Sequence, residues 1–182
     1  MEKLSKNKYI LIGIPHCGKS TLGRQAADIL RLPFFDTDLM TCERLGMNNP
    51  FDPIRATING SIITAQREAL CELAVLDSSA IIATGAEIAL MPGCAVLLRR
   101  MGTVIHIQRK QETVLEEMAN DDKVHLVWRN VTDGTEIVMR EESVKLYAQE
   151  LSRYEALADL TLDNNGSEDI GVEKLIALIK QK

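Results

Sequence analysis

The segment Gly13-Ile14-Pro15-His16-Cys17-Gly18-Lys19-Ser20 leaves few folds open to this chain. It satisfies Gly-x-x-x-x-Gly-Lys-Ser/Thr, the phosphate-binding loop pattern, and it closes the apolar, β-rich run Tyr9–Ile14 just before a stretch with helical spacing. Glycines at its two ends let main-chain N–H groups approach oxyanions closely, and the start of the following helix adds a dipole that favours negative charge. Gly13, Pro15, His16, Cys17, Gly18, Lys19, Ser20 and Thr21 are therefore expected to wrap the phosphates of ATP or GTP. Lys19 is expected on the β- and γ-phosphates, and the Ser20 hydroxyl on Mg²⁺. The competing reading is a glycine-rich strand-to-helix turn without a ligand. Truncating Lys19 to Ala is expected to abolish nucleotide binding while leaving the fold intact.

The rest of the chain continues the alternation that this motif needs. Short apolar runs at Tyr9–Ile14, Pro33–Asp36, Ala80–Thr84, Thr103–Gln108 and Asp159–Leu162 read as strands. Helical spacing separates them: Leu22, Ala26, Ile29, Leu30; then Ile62, Ala65, Ala69, Leu73, Leu76; then Val144, Tyr147, Leu151, Tyr154, Ala158; and finally Val172, Leu175, Ile176, Ile179. Strands bounded by helices imply a parallel sheet covered on both faces, an α/β fold. With 182 residues, no repeat and no Pro/Gly-rich linker, a single domain over residues 1–182 is expected.

A net charge of −5 supplies no broad basic surface for a nucleic-acid backbone. The opening residues hold no apolar signal core, and the run Ala89–Leu98 is too short to span a bilayer and is interrupted by Pro92. The four cysteines are scattered, with no Cys-x-x-Cys, so free thiols are expected. Together these point to a cytoplasmic protein with no nucleic-acid and no membrane partner, a monomer or weak homo-oligomer.

A second chemical signal is Phe34-Phe35-Asp36-Thr37-Asp38, two carboxylates spaced i, i+2 at the end of the second strand. Ligands of open parallel sheets gather at that edge. Acids there, beside Mg·ATP, suit holding the metal and orienting or deprotonating an acceptor hydroxyl. The plainer alternative is that Asp38 only caps a helix beginning at Leu39.

With these residues in place, the sequence resembles the shikimate kinase family. The stretches GIPHCGKSTLGRQAADIL, PFFDTDLMTCERLG, IIATGA and RYEALADLTLD carry the likeness, in matching order and spacing over most of the chain. The resemblance implies a P-loop kinase fold, three layers α/β/α around five parallel strands in order 2-3-1-4-5, with a lid over the nucleotide. It implies an ATP-dependent kinase that uses Mg²⁺ and phosphorylates a hydroxyl of shikimate or a related small metabolite. Position by position, Lys19, Asp36 and Asp38 take catalytic roles, Ser20 and Asp36 the metal, and Asp38, Arg67, Glu68 and Gly85 the acceptor.

The likeness has gaps. Where the family carries Phe-Arg ahead of a Glu, this chain has Thr64 and Ala65 ahead of Glu68, with Arg67 two residues on, roughly 200° around a helix. Three glycines after the third strand become Gly85-Ala86-Glu87, and an Arg four residues before the late Tyr becomes Glu150. The lid, expected near residues 120–136, lacks the family's Arg-Pro pair, leaving Lys123 or Arg129 to supply its charge. The added acids tilt the expected acceptor away from strongly anionic molecules. Two other readings stay open: a nucleotide-binding, regulatory relative with altered acceptor or lost transfer, and a gluconate or nucleotide kinase.

Overall fold

The computed structural model describes residues 8–49, 59–86, 88, 91, 93–120 and 136–181. The elements, in chain order, are β1 (Lys8–Ile12), α1 (Lys19–Leu30), β2 (Phe34–Asp36), α2 (Thr37–Leu45), α3 (Asn59–Val75), β3 (Ala80–Ala83), α4 (Cys94–Met101), β4 (Thr103–Gln108), α5 (Gln111–Asn120), α6 (Glu136–Leu157), β5 (Leu160–Asp163) and α7 (Glu168–Lys180). The strands form one sheet in the order β2-β3-β1-β4-β5, and every pair is parallel.

The sequence explains which strand is central. Every residue of β1 is buried, Ile10, Leu11 and Ile12 completely, and β3 and β4 are buried at all positions but Gln108. A strand buried on both faces must lie in the middle of a sheet flanked by helices. Ile10 sits opposite Ile82 on one side and Val104 on the other, so the core runs straight across the three inner strands. Edge strand β2, by contrast, is only half-buried, and β5 alternates exposed and buried positions. Helix α1 packs on α7 and against β3, while α4 and α6 lie against β4. All strands therefore deliver their carboxyl ends to one edge, where the loops that bind ligands belong.

Four of the expected strands end within two residues of their expected bounds, and β4 matches at both ends. The expected strand through Ile14 stops at Ile12, because the phosphate-binding loop takes over at Gly13 with φ 145°. Helices α4 and α5, at eight and ten residues, are not among the helices expected from the sequence, although Cys94, Leu98 and Met101 of α4 are buried at helical spacing. The expected lid falls largely outside the described residues: Asn120 closes α5, Glu136 opens α6, and Lys123, His125 and Arg129 lie between. Glu87 is likewise outside them. None of the four cysteines forms a disulfide, and no helix among the described residues is long and apolar enough to cross a membrane.

Candidate active site

Three turns of chain meet at the carboxyl edge: the loop between β1 and α1, the junction of β2 with α2, and the segment after β3. The first is held open by backbone geometry. Gly18 caps α1 with φ 99°, a left-handed conformation that side chains rarely adopt, and a Cβ there would run into the Asn164 amide. His16 also has positive φ, at 59°. Pro15, Cys17 and Lys19 are buried within the loop, while Ser20 and Thr21 open to solvent at the helix start.

Lys19 is only 8% exposed, and its ammonium turns back on its own loop. It donates to the carbonyls of Gly13 at 2.8 Å and Ile14 at 2.7 Å, with the Cys17 sulfur 3.6 Å away. The charge is thus placed inside the curl of the loop, among the groups expected to meet phosphate. It also braces that curl, which amends the expectation about Lys19→Ala: truncation removes a structural tie as well as a cation.

Ser20 joins the loop to the second turn. Its hydroxyl donates to Asp36 Oδ2 at 2.6 Å. The other Asp36 oxygen accepts from the backbone N–H groups of Asp38, at 3.0 Å, and Leu39, at 3.4 Å. Asp36, not Asp38, is therefore the N-cap, and α2 starts at Thr37 rather than Leu39. The cap pins one carboxylate oxygen and leaves its partner facing the Ser20 hydroxyl. A hydroxyl and a carboxylate oxygen side by side are hard donors of the kind Mg²⁺ prefers.

Relieved of capping, Asp38 lies in the first turn of α2 and packs onto the third segment. A Cβ built on Gly85 would collide with the Asp38 carboxylate, so only glycine permits this approach. Thr37, fully buried, fixes the register of the two segments by accepting from the Gly85 N–H at 2.9 Å.

Two more residues complete the loop's surroundings: Asn164, which the sequence did not mark, and Arg109, which the sequence offers with Lys110 as a phosphate or base contact but leaves unassigned. Asn164, just after β5, donates its amide to the Cys17 carbonyl at 2.9 Å and is 8% exposed. Arg109, just after β4, donates to the His16 carbonyl at 3.0 Å and lines a cavity of about 260 Å³ with Lys19, Ser20, Thr21 and Glu117. A hint of both was available, since each follows a strand predicted to end at this edge. His106, on β4 behind the loop, is buried against Tyr154 with ring centroids 5.5 Å apart. Burial first, and the nearby Lys19 ammonium second, push its pKa down to about 4, so the ring is neutral at physiological pH.

The chain has known relatives. The family model described as shikimate kinase matches residues 15–180. The shikimate kinase of Moorella thermoacetica is 32% identical over 169 residues, covering 92% of this chain and 90% of that protein. That of Thioalkalivibrio sulfidiphilus is 31% identical, covering 87% and 79%. The chain belongs to the shikimate kinase family. Members of that family are ATP-dependent phosphotransferases that act on a hydroxyl group and generally work with Mg²⁺. Among solved structures, the shikimate kinase of Acinetobacter baumannii in complex with shikimate has a TM-score of 0.75 at 20% identity, covering 97% of this chain and 94% of that one. The Aquifex aeolicus shikimate kinase has a TM-score of 0.76 at 21% identity, covering 96% of each. At such identities these structures establish the fold.

Against this family background the remaining sequence-predicted residues divide. Glu68 lines a separate cleft of about 340 Å³ between α2 and α3, together with Thr64, Ala65 and Arg44. Arg67 is not in that lining. Its guanidinium lies on the side of Cys94 at the start of α4; burial pushes that thiol's pKa up and the Arg67 charge pulls it part of the way back. Ala65, where the resemblance implies an arginine, is buried. Tyr154 donates its hydroxyl to the Ala86 carbonyl at 2.7 Å, and Tyr147, two turns earlier on α6, donates to the Arg109 carbonyl at 2.6 Å. Glu150 lies between them on that helix, half-buried.

Proposed function

We propose that this protein transfers the γ-phosphate of Mg·ATP to a hydroxyl of a small metabolite, shikimate or a relative of it. One observation carries the reading: Ser20 of the phosphate-binding loop is hydrogen-bonded to Asp36, two residues from an Asp38 seated on Gly85. A nucleotide half and an acceptor half are thus joined through a single strand end.

In this reading the loop from Gly13 to Thr21 enfolds the phosphates, and Lys19 exchanges its carbonyl partners for phosphate oxygens. Ser20 and Asp36 hold Mg²⁺, which when bound neutralises charge on the phosphates and aligns them for transfer. Asp38 orients the acceptor hydroxyl and takes its proton as the new bond forms. Glu68 and Gly85 belong to the acceptor side, and Arg67, whose charge acts on the Cys94 thiol here, joins it only by turning toward the cleft that Glu68 lines. Most of the rate enhancement comes from positioning and charge, as befits phosphoryl transfer. A cytoplasmic setting and a monomeric or weakly associated state complete the proposal.

A second reading has its own support. Ala65 and Glu150 stand where the resemblance implies arginines, so the acceptor is less anionic than shikimate, or transfer is absent and the protein binds nucleotide for regulation. The test is ADP release from Mg·ATP across shikimate, gluconate, neutral sugars and nucleoside monophosphates, with Lys19→Met as control. Turnover on shikimate at low KM refutes the tilt toward less anionic acceptors. Turnover on gluconate or a nucleoside monophosphate reassigns the acceptor. Mg·ATP binding without turnover on any of them selects the regulatory reading.

A further inference from the structure

Arg109 and Glu117 share the 260 Å³ cavity with Lys19 and Ser20, yet neither belongs to the phosphate-binding motif. Their geometry is specific. Arg109 Nη1 donates to Glu117 Oε2 at 2.8 Å and to the His16 carbonyl at 3.0 Å, while Nη2 lies 2.8 Å from Glu117 Oε1. This is the two-pronged pairing of a planar guanidinium with a carboxylate, tied by a third bond to the loop itself. The arginine is anchored from behind as well, because its own carbonyl accepts the Tyr147 hydroxyl. Held at backbone and side chain, the cation loses little further freedom on meeting a ligand. The Arg109 side chain is 25% exposed and that of Glu117 42%, so the pair lies at the cavity mouth and is open to exchange.

The charges conflict with the cavity's proposed use. A carboxylate beside bound triphosphate is repelled by it, and an arginine saturated by that carboxylate contributes little attraction. Both problems are relieved by one exchange, since the guanidinium fork fits phosphate oxygens as well as it fits a carboxylate. We infer that Arg109 and Glu117 form a latch on the nucleotide cavity, in which Arg109 leaves Glu117 to bind the phosphate chain and Glu117 acts as its competitor. Arg109 is then a further binding residue of the kinase site, and Glu117 sets how much negative charge a ligand must bring to open the latch. The inference rests on the nucleotide reading of this cavity.

Calorimetry of the full chain with Mg·ATP, Mg·ADP, AMP and adenosine tests it. Arg109→Met is expected to weaken Mg·ATP by ~10–100-fold, the range of one charge-assisted contact, with smaller losses for ADP and AMP and none for adenosine. Glu117→Gln is expected to tighten Mg·ATP several-fold, by about 3–10, and Arg109→Lys to fall between wild type and Arg109→Met. Thermal melts of each variant report folding separately. Unchanged nucleotide affinities in Arg109→Met and Glu117→Gln, with lowered melting temperatures, make the pair a structural tie and overturn the latch. Equal losses for adenosine and ATP overturn it too, in favour of a base contact. A folded wild-type protein that takes up no Mg·ATP overturns the nucleotide reading itself, an outcome distinct from both.

Discussion

The proposed nucleotide side and the proposed acceptor side of this site are built on different principles. On the first, one contiguous loop supplies most of the ligand-facing groups, and residues distant in the chain tie it in place: Asn164 on the Cys17 carbonyl, Arg109 on that of His16, His106 packed behind. On the second, no stretch is self-sufficient. Asp38 comes from α2, Gly85 from just after β3 and Glu68 from α3, each set by packing among elements far apart in the chain. The contrast explains why the chain keeps the phosphate-binding pattern whole while departing at Ala65, Ala86 and Glu150. A loop whose function is carried by consecutive backbone N–H groups tolerates no partial version, whereas a pocket assembled from separate side chains can be altered one position at a time.

The sharpest way to break this comparison is Asp38→Asn. It is expected to cut kcat by ~10²–10⁴-fold, the usual contribution of a positioned acid–base group, while leaving Mg·ATP affinity within a factor of about two in calorimetry. A parallel loss of ATP affinity would show that the two sides are not separable. Asn164→Ala probes the brace. Removing the only described donor to a buried carbonyl is expected to cost about 1–3 kcal/mol in urea unfolding and to raise KM for ATP more than that for the acceptor. An effect on the acceptor KM alone would place Asn164 in the wrong half. Gly85→Ala makes the reciprocal case: the added methyl displaces Asp38, so KM for the acceptor should rise roughly tenfold, about 1.4 kcal/mol, with KM for ATP unmoved.

The smallest expected effect comes from His106, whose pKa falls from 6.5 to about 4 on folding. Between those values the unfolded chain binds a proton that the folded one does not, so stability decreases as pH falls from 6.5 toward 4 and is flat above that window. Between pH 7.5 and 5.5 the loss is about 1 kcal/mol. Neither ring nitrogen has a hydrogen-bond partner among the described residues, so His106→Phe removes no bond and is expected to abolish this slope. An unchanged slope in urea titrations of the variant would assign the pH dependence to other groups.

What was legible in the residues follows the same division. The eight-residue loop announced itself because its chemistry is local: spacing, glycine conformation and the following helix are all written consecutively. The strands were legible for a related reason, since burial on both faces demands an unbroken apolar run such as Tyr9–Ile12. Tertiary structure alone decided that Asp36 rather than Asp38 caps α2, because the choice turns on where β2 stops against β3. It alone sent Arg67 to Cys94, brought Arg109 to the loop mouth, and joined Asn164 to Cys17 across 147 positions. Hydrogen bonds between residues so far apart leave no periodicity and no motif behind, since their partners become neighbours only when the sheet aligns its carboxyl ends.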